Sequence, residues 1–405
     1  MSETGSTRSG AFIISGARTP MGRHWGSLSG IRTDDLGALA IREVVGRSGL
    51  PSGRIDEVHA GIVNASGEAM GNIARFSALL ADLPVTTAGV TMNRYCGSGL
   101  SAFNSLVHAI GFGSVEAGVA LGVETMSRST WPVAIPINER YPGALAGRNA
   151  MWSGAGGPQH PELEANGTMI DMPPGAQLIA NKFGITREEM DTFSLRSHER
   201  VARAWDEGRF DDEVFTVVTS SGDFSSDETY RRDSSLERLG RLKGYYEGCP
   251  DITAGNASPV SDGATALVVA GARVVDEFGL TPLAEVVATS SAGVAPEEFA
   301  IGPVPAIEQL LRRSGLSLDE VGLIEINEAF ASQNLACARA LGIDEERLNV
   351  NGGAIALGHA LGNSGARILT TLVYEMRRRG TKYGIASLCV GGGMGVATLV
   401  RNVAV

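Results

Sequence analysis

The chain has 405 residues, of which 43% are hydrophobic, 20% charged and 6% aromatic, with 53 glycines. That composition excludes a disordered chain and suits an α/β protein of small residues and tight turns, long enough for two or three domains with buried cores. A net charge of −11, from 34 basic and 45 acidic residues, offers no general attraction for nucleic acid or an anionic membrane, so neither is expected as a partner.

The N-terminal "MSETGSTRSG" is polar and lacks the apolar stretch of a signal peptide, and "RNVAV" at the C-terminus carries no address tag. No apolar run approaches the roughly 20 residues that span a bilayer. A cytoplasmic location is therefore the expectation. The four cysteines, Cys96, Cys249, Cys337 and Cys389, are widely spaced without a CxxC pair, which indicates neither a disulfide framework nor a zinc site.

In chain order, residues 42–63, "REVVGRSGLPSGRIDEVHAGIV", read as an amphipathic helix closed by Gly49, then a strand. The β-branched run "VTTAGVTM" predicts a strand over 85–92. Helical spacing in "SAFNSLVHAI" predicts a helix over 101–110, with Cys96 at the junction in "NRYCGSGLSA". Another strand, "VEAGVALGV", covers 115–123. The segment from about 126 to 252 breaks this alternation. It opens on an irregular Gly-, Pro- and Asn-rich stretch, then starts a long helix at Thr186, where Thr186 and Glu189 have capping-box spacing. It reads as a loop domain inserted into the first half.

Residues 308–326, "EQLLRRSGLSLDEVGLIEI", repeat the helix, the Arg-Ser-Gly-Leu end, the Asp-Glu-Val and the strand of 42–63. Internal duplication explains that shared order. The second half continues with a glycine-rich turn and helix in "RLNVNGGAIALGHALGNSGARILTTLVYEMRRR", then the strand "YGIASLCV" and the run "GGGMGVATLV". The expected domains are residues 1–125 with 253–283, the insertion 126–252, and residues 284–405. Strands alternating with helices predict mostly parallel sheets covered on both faces.

Cys96 has three readings. It is a small buried hydrophobe, or "GSGLSA" at 97–102 is a dinucleotide-binding turn with Glu124 as the ribose acid, or it is a nucleophile. A helix N-terminus favours thiolate and offers N–H groups to an oxyanion, while the glycines leave room for a substrate arm. His359, among small residues, is a candidate base for it. Cys389 stands at the corresponding strand end of the second half. Asn327 is either a helix cap or a site residue. The basic run 231–244, "RRDSSLERLGRLKG", is either an anion patch or a solvated face.

The ordered set "NRYCGSGL", "TAGNAS", "NEAF", "NVNGGAIALGHALG" and "CVGGGMG" resembles the thiolase family along nearly the whole chain. The resemblance implies an α/β fold of duplicated βαβαβ halves in an α/β/α/β/α core, with an inserted loop domain. It implies transfer of an acyl group between CoA and acetyl-CoA, by cleaving or making a 3-oxoacyl-CoA, and a place in fatty-acid metabolism. In that scheme Cys96 carries the acyl group, His359 is its base, and Cys389 exchanges protons with CoA or the acetyl carbanion. Asn327 holds a water with His359 at the enolate oxygen. The backbone N–H groups of Cys96 and Gly391 hold the acyl-enzyme oxyanion, Ser258 contacts pantetheine, and Met172 borders the acyl site.

No cofactor or metal is implied, since CoA and acyl-CoA are substrates, and a homodimer or homotetramer is expected. Ala360 replaces the family's proline after the histidine, and Met394 replaces a glutamine. Asp171-Met172-Pro173-Pro174 replaces its His-Met-Gly, and "LKG" at 242–244 replaces "LKP". A decarboxylating condensing enzyme and a non-catalytic acyl-CoA-binding protein are the alternatives.

Overall fold

Runs of small and β-branched residues form the strands, and the computed structural model describes residues 10–129, 162, 171–244 and 246–405. The first half contributes β1 (Ala11–Arg18), β2 (Glu57–Gly61), β3 (Ala88–Met92), β4 (Ala117–Thr125) and β5 (Ser261–Gly271). The second contributes β6 (Ala284–Gly293), β7 (Leu323–Ile326), β8 (Tyr383–Val390) and β9 (Met394–Asn402). Their order is β7-β8-β9-β6-β1-β5-β4-β2-β3. The two halves join where Phe12 and Ile13 of β1 pair with Glu285 and Ala284 of β6.

The expectation of mostly parallel sheets is corrected. Only β2–β3, β2–β4 and β7–β8 pair in parallel along this path, and its remaining pairs are antiparallel. The reason is local at β8–β9. The turn between them is three residues long, with Gly392 and Gly393 at φ 79° and 81°, and so short a connection allows only an antiparallel neighbour.

The longer helices are α1 (Thr33–Ser48), α2 (Ile73–Leu80), α3 (Ser98–Phe112), α4 (Met172–Phe183), α5 (Arg187–Asp206), α6 (Pro303–Ser314), α7 (Ala331–Leu341) and α8 (Ser364–Arg379). α1 packs on β1, β4 and β5, and α6 packs on β6, β8 and β9. Between the two halves, α3 and α8 pack against each other and against strands of both. The result is the layered α/β/α/β/α core. Strands β1 and β4 are buried at every position, as sheets covered on both faces require. The repeated Arg-Ser-Gly-Leu ends α1 and α6 in the same way, with Gly49 at φ 70° and Gly315 at φ 71°, a left-handed cap that glycine adopts without a Cβ penalty.

In the inserted segment, the Thr186 N–H donates to Glu189 Oε2 at 2.8 Å, while the Glu189 N–H donates to Thr186 Oγ1 at 3.2 Å, closing the capping box of α5. Pro173 and Pro174 occupy the first turn of α4, where a missing N–H costs nothing. α4, α5 and α7 share an apolar cluster that includes Ile179, Met190, Phe193, Phe330 and Cys389. The irregular stretch expected over 131–167 lies, except for residue 162, outside the described residues. Among those residues no helix is long and apolar enough to cross a membrane.

Candidate active site

Cys96 lies one residue before Gly97, the N-cap of α3. The backbone reaches it through Tyr95, a non-glycine residue at φ 43°, in the left-handed region that strains an ordinary side chain. The Tyr95 N–H donates to Asn93 Oδ1 at 2.8 Å. Ser98 Oγ donates to the Tyr95 carbonyl at 2.6 Å and accepts from the Arg94 N–H at 2.9 Å. This tight elbow leaves Cys96 partly exposed as a residue although its sulfur is enclosed by protein, whereas Cys249, Cys337 and Cys389 are buried.

The glycines after Cys96 serve packing, not clearance for a substrate arm. A Cβ on Gly97 would stand 2.8 Å from Val390 and 2.9 Å from Val396, and one on Gly99 would stand 2.5 Å from the Gly362 carbonyl oxygen. These contacts turn Gly97 and Gly99 towards protein, and Glu124 accepts from backbone N–H groups and does not stand free for a ribose, which goes against the dinucleotide reading.

The expected lowering of the Cys96 pKa is also corrected. Burial of the sulfur pushes its thiol up to about 11, outweighing the opposite pull of the backbone N–H groups of Gly391 and of Cys96 itself. Those are the two amides named above as oxyanion donors. One comes from each half of the chain. Desolvation of a charged sulfur outweighs both, so the resting group is a neutral thiol. Cys389 is the second-last residue of β8, opposite Gly395 of β9. Burial raises its thiol well above the ordinary range, and the neighbouring thiols of Cys96 and Cys337 act in the same direction.

His359 is held on a turn between the short helix Ala354–Leu357 and α8. Its N–H donates to the Pro259 carbonyl at 3.0 Å. Its Nδ1 lies 2.6 Å from Ser364 Oγ, and that hydroxyl donates its single proton to the Ala360 carbonyl at 3.0 Å. With that proton on the carbonyl the hydroxyl accepts from Nδ1–H, and we assign the proton to Nδ1, which leaves Nε2 with a bare lone pair. Nε2 is buried without a protein partner. Burial, with the Arg367 charge second, pushes His359 down to about 3, so the ring rests neutral.

Asn327 is not a helix cap, since α7 starts at Ala331 with Phe330 as its cap. It follows β7, its N–H donating to the Ser387 carbonyl at 3.0 Å. Its Nδ2 lies 3.5 Å from His359 Nδ1, and its Oδ1 is buried without a partner. A proton on Nδ1 requires this amide to be turned by half a rotation, so that its oxygen faces the ring and its NH2 faces outward, placed to hold a water. Ser258 docks on the same segment, its N–H donating to the Ala329 carbonyl at 3.0 Å. Met172 opens α4 and packs on the apolar cluster that contains Cys389 and Ala329.

Sequence reasoning missed three supports. Ser364 sits inside the quoted histidine motif, where its spacing of five residues from His359 was the available signal. Glu328 is buried and accepts from Ser197 Oγ at 2.7 Å, Asn349 Nδ2 at 3.0 Å and the Ile355 N–H at 3.1 Å, tying α5 to the segment before His359. Glu124, read above as a ribose acid, accepts only backbone N–H groups: Val63 at 2.8 Å, Asn64 at 3.0 Å and Gly362 at 2.9 Å. The basic run is a solvated face, where Arg232, Arg238 and Arg241 pair with Asp206, Asp233 and Glu237.

With this geometry in place, comparison with known proteins is specific. Residues 11–273 match the family model "Thiolase, N-terminal domain", and residues 280–402 match "Thiolase, C-terminal domain". A beta-ketoadipyl-CoA thiolase of Pseudomonas aeruginosa is 42% identical over 404 residues, covering 97% of this chain and 99% of that protein. The crystal structure of the Bacillus anthracis acetyl-CoA acetyltransferase superposes with a TM-score of 0.89 at 38% identity, covering 98% of this chain and 100% of that one. The human mitochondrial 3-ketoacyl-CoA thiolase in complex with CoA gives a TM-score of 0.88 at 36% identity, covering 97% and 98%.

Proposed function

The chain belongs to the thiolase family of acyltransferases, and we propose that it moves acyl groups between CoA and acetyl-CoA through a thioester on Cys96. The observation that carries this reading is the approach of the two halves at Cys96: Gly97 packs against Val390, the residue before Gly391, and the Gly391 N–H lies beside the Cys96 sulfur. Donors placed there meet the oxyanion that forms when the sulfur attacks a thioester carbonyl.

The steps follow from the resting protonation states. His359 Nε2 takes the Cys96 proton as the sulfur attacks, so deprotonation is coupled to a bound acyl-CoA and no free thiolate forms beforehand. The tetrahedral oxyanion lies against the two amides and collapses. The C–S bond to CoA breaks, and Cys389 gives its proton to the departing CoA thiolate. In the condensing direction the Cys389 thiolate then removes a proton from the methyl group of acetyl-CoA. The enolate oxygen is held by His359 and by a water on the Asn327 amide. Its carbon attacks the acyl group on Cys96, and the released sulfur recovers the proton from His359. Thiolysis runs the same steps backwards. CoA thioesters serve as substrates throughout, and Ser258 and Met172 border the pantetheine arm and the acyl group.

The acyl chain is set no more finely than a 3-oxoacyl group. The relatives above carry three different acyl names, so a dicarboxylic 3-oxoadipyl chain stands beside the fatty-acyl chain. A homodimer or homotetramer is part of the same proposal: β3 ends the sheet with an open edge, beside the exposed apolar residues Phe76, Leu79, Leu80 and Val85. Four free cysteines fit a reducing, cytoplasmic location.

The test is intact mass after exposure to acetyl-CoA, together with loss of 3-oxoacyl absorbance when CoA is mixed with acetoacetyl-CoA, longer 3-oxoacyl-CoAs or 3-oxoadipyl-CoA. Wild type should gain one acetyl group and cleave at least one substrate, and Cys96→Ala should do neither. Acyl transfer that persists in Cys96→Ala removes the nucleophile assignment. No cleavage of any chain favours the decarboxylating or binding alternatives.

A further inference from the structure

The mechanism makes no use of Glu124, although it is only 1% exposed at the end of β4 and, among the described residues, has no ion-pair partner. Its Oε2 accepts from the Val63 and Gly362 N–H groups, at 2.8 Å and 2.9 Å, and its Oε1 from the Asn64 N–H at 3.0 Å. Val63 and Asn64 follow β2 in the first half, while Gly362 belongs to the second half, three residues after His359 and two before Ser364. One carboxylate therefore bonds the Cys96-bearing half to the turn that carries the base.

We propose that Glu124 is a positioning residue that pins the Gly362 amide and so sets the His359 turn against the first turn of α3, which begins beside Cys96. This rests on the acyl-enzyme reading above.

The packing around Gly362 makes the seam specific. Its carbonyl oxygen would lie 2.5 Å from a Cβ on Gly99 and 2.8 Å from one on Gly122. A Cβ on Gly362 itself would lie 2.9 Å from Glu124 Oε2. The turn is thus held between backbone on one side and the carboxylate on the other, with no side chain to act as a spacer. Without the carboxylate, the Gly362 N–H has no acceptor there and the turn loses that bond to the first half.

A neutral isostere does not replace this function. Three N–H donors converge on two oxygens, and glutamine offers one oxygen and an NH2, so at least one donor would face another donor. A buried carboxylate without a cation is unfavourable by itself, and burial pushes Glu124 up to about 7. Its retention against that cost fits a need for three acceptor contacts at one point.

The experiment is a double-mutant cycle between Glu124 and His359, read as the single-turnover rate of Cys96 acetylation by acetyl-CoA, followed by intact mass on the full chain. Wild type, Glu124→Gln, His359→Ala and the double variant are compared, with melting curves for each. Misplacing a base by a fraction of an ångström to an ångström costs about ten- to a hundredfold in rate. Glu124→Gln should slow acetylation by that amount when His359 is present, and by less than about twofold when it is alanine, because the effect passes through the histidine. Equal slowing in both backgrounds, or none in either, overturns the proposal. If Glu124→Gln does not fold, Glu124→Asp, which keeps both oxygens but withdraws them by one methylene, is read in the same cycle against the same outcomes. A wild type that never acetylates on Cys96 overturns the acyl-enzyme reading and this inference with it; a wild type that acetylates while the cycle shows no coupling overturns this inference alone.

Discussion

The imidazole Nδ1 of His359 lies 2.6 Å from Ser364 Oγ, and this contact decides which face of the ring is basic. Because the hydroxyl spends its proton on the Ala360 carbonyl, Nδ1 keeps its own, and Nε2 is left bare and buried. A residue without substrate contact thereby selects the tautomer that the chemistry uses.

Ser364→Ala removes that selection without removing the base. Thiolysis of acetoacetyl-CoA should fall about ten- to a hundredfold in kcat, the usual loss when the orienting partner of a functional histidine is deleted. KM for CoA should stay within about twofold. Steady-state kinetics on wild type and variant check this, and an unchanged kcat would mean that the ring is oriented by Asn327 alone.

Cys96, pushed up to about 11, should show its protonation in alkylation kinetics. The thiolate is the reacting species, so its fraction, and with it the rate with iodoacetamide, rises as pH rises towards the pKa. The second-order rate constant should climb about tenfold per pH unit between pH 7 and 10 without levelling, since each unit below the pKa costs a factor of ten in thiolate. A plateau below pH 8 would show a preformed thiolate–imidazolium pair.

Cys389→Ala should separate the two half-reactions. The variant keeps the Cys96 nucleophile and the His359 base, so incubation with acetyl-CoA should still place one acetyl group on the chain. Condensation and thiolysis should drop by about a hundred- to ten-thousandfold, the range for loss of a positioned acid–base group. Intact mass and steady-state rate measured on the same sample read the two effects. Equal loss of both would assign Cys389 to acylation itself.

His198 gives a stability prediction away from the chemistry. It is 6% exposed, its Nδ1 accepts from the Arg231 N–H at 3.1 Å, and burial pushes it down to about 4. A histidine depressed in the folded state stabilises fully above its unfolded pKa of about 6.5, and that contribution is lost as pH falls through the folded value. His198→Asn keeps an acceptor for Arg231 but takes up no proton. The loss of unfolding free energy between pH 7 and pH 4.5 should shrink by about 2 kcal/mol relative to wild type. Denaturant unfolding at the two pH values measures it, and an unchanged difference would show that His198 is already protonated in the fold.

Much of the architecture was legible in the sequence because its signals are local. Arg-Ser-Gly-Leu ends α1 and α6 alike because a glycine in the left-handed region closes a helix wherever it stands. Thr186 and Glu189 cap α5 through atoms three residues apart. The glycine-rich strand ends placed Cys96, His359, Asn327 and Cys389 as candidates, and the five ordered motifs assigned them a chemistry.

Tertiary structure decided what depends on distant groups. The direction of the β-strands followed from which connections are turns and which are crossovers, and alternation of element types does not carry that information. The Cys96 thiol is raised, not lowered, because burial is a property of the assembled site, and it exceeds the pull of nearby N–H groups. The glycines beside Cys96 admit Val390, Val396 and the Gly362 carbonyl, all of them far along the chain. Glu124, which reads in sequence as the acid of a nucleotide site, meets amides 60, 61 and 238 residues away. Short-range hydrogen bonds and caps are written in neighbouring residues. Desolvation, and contacts across the seam between two halves, exist only once those halves have met.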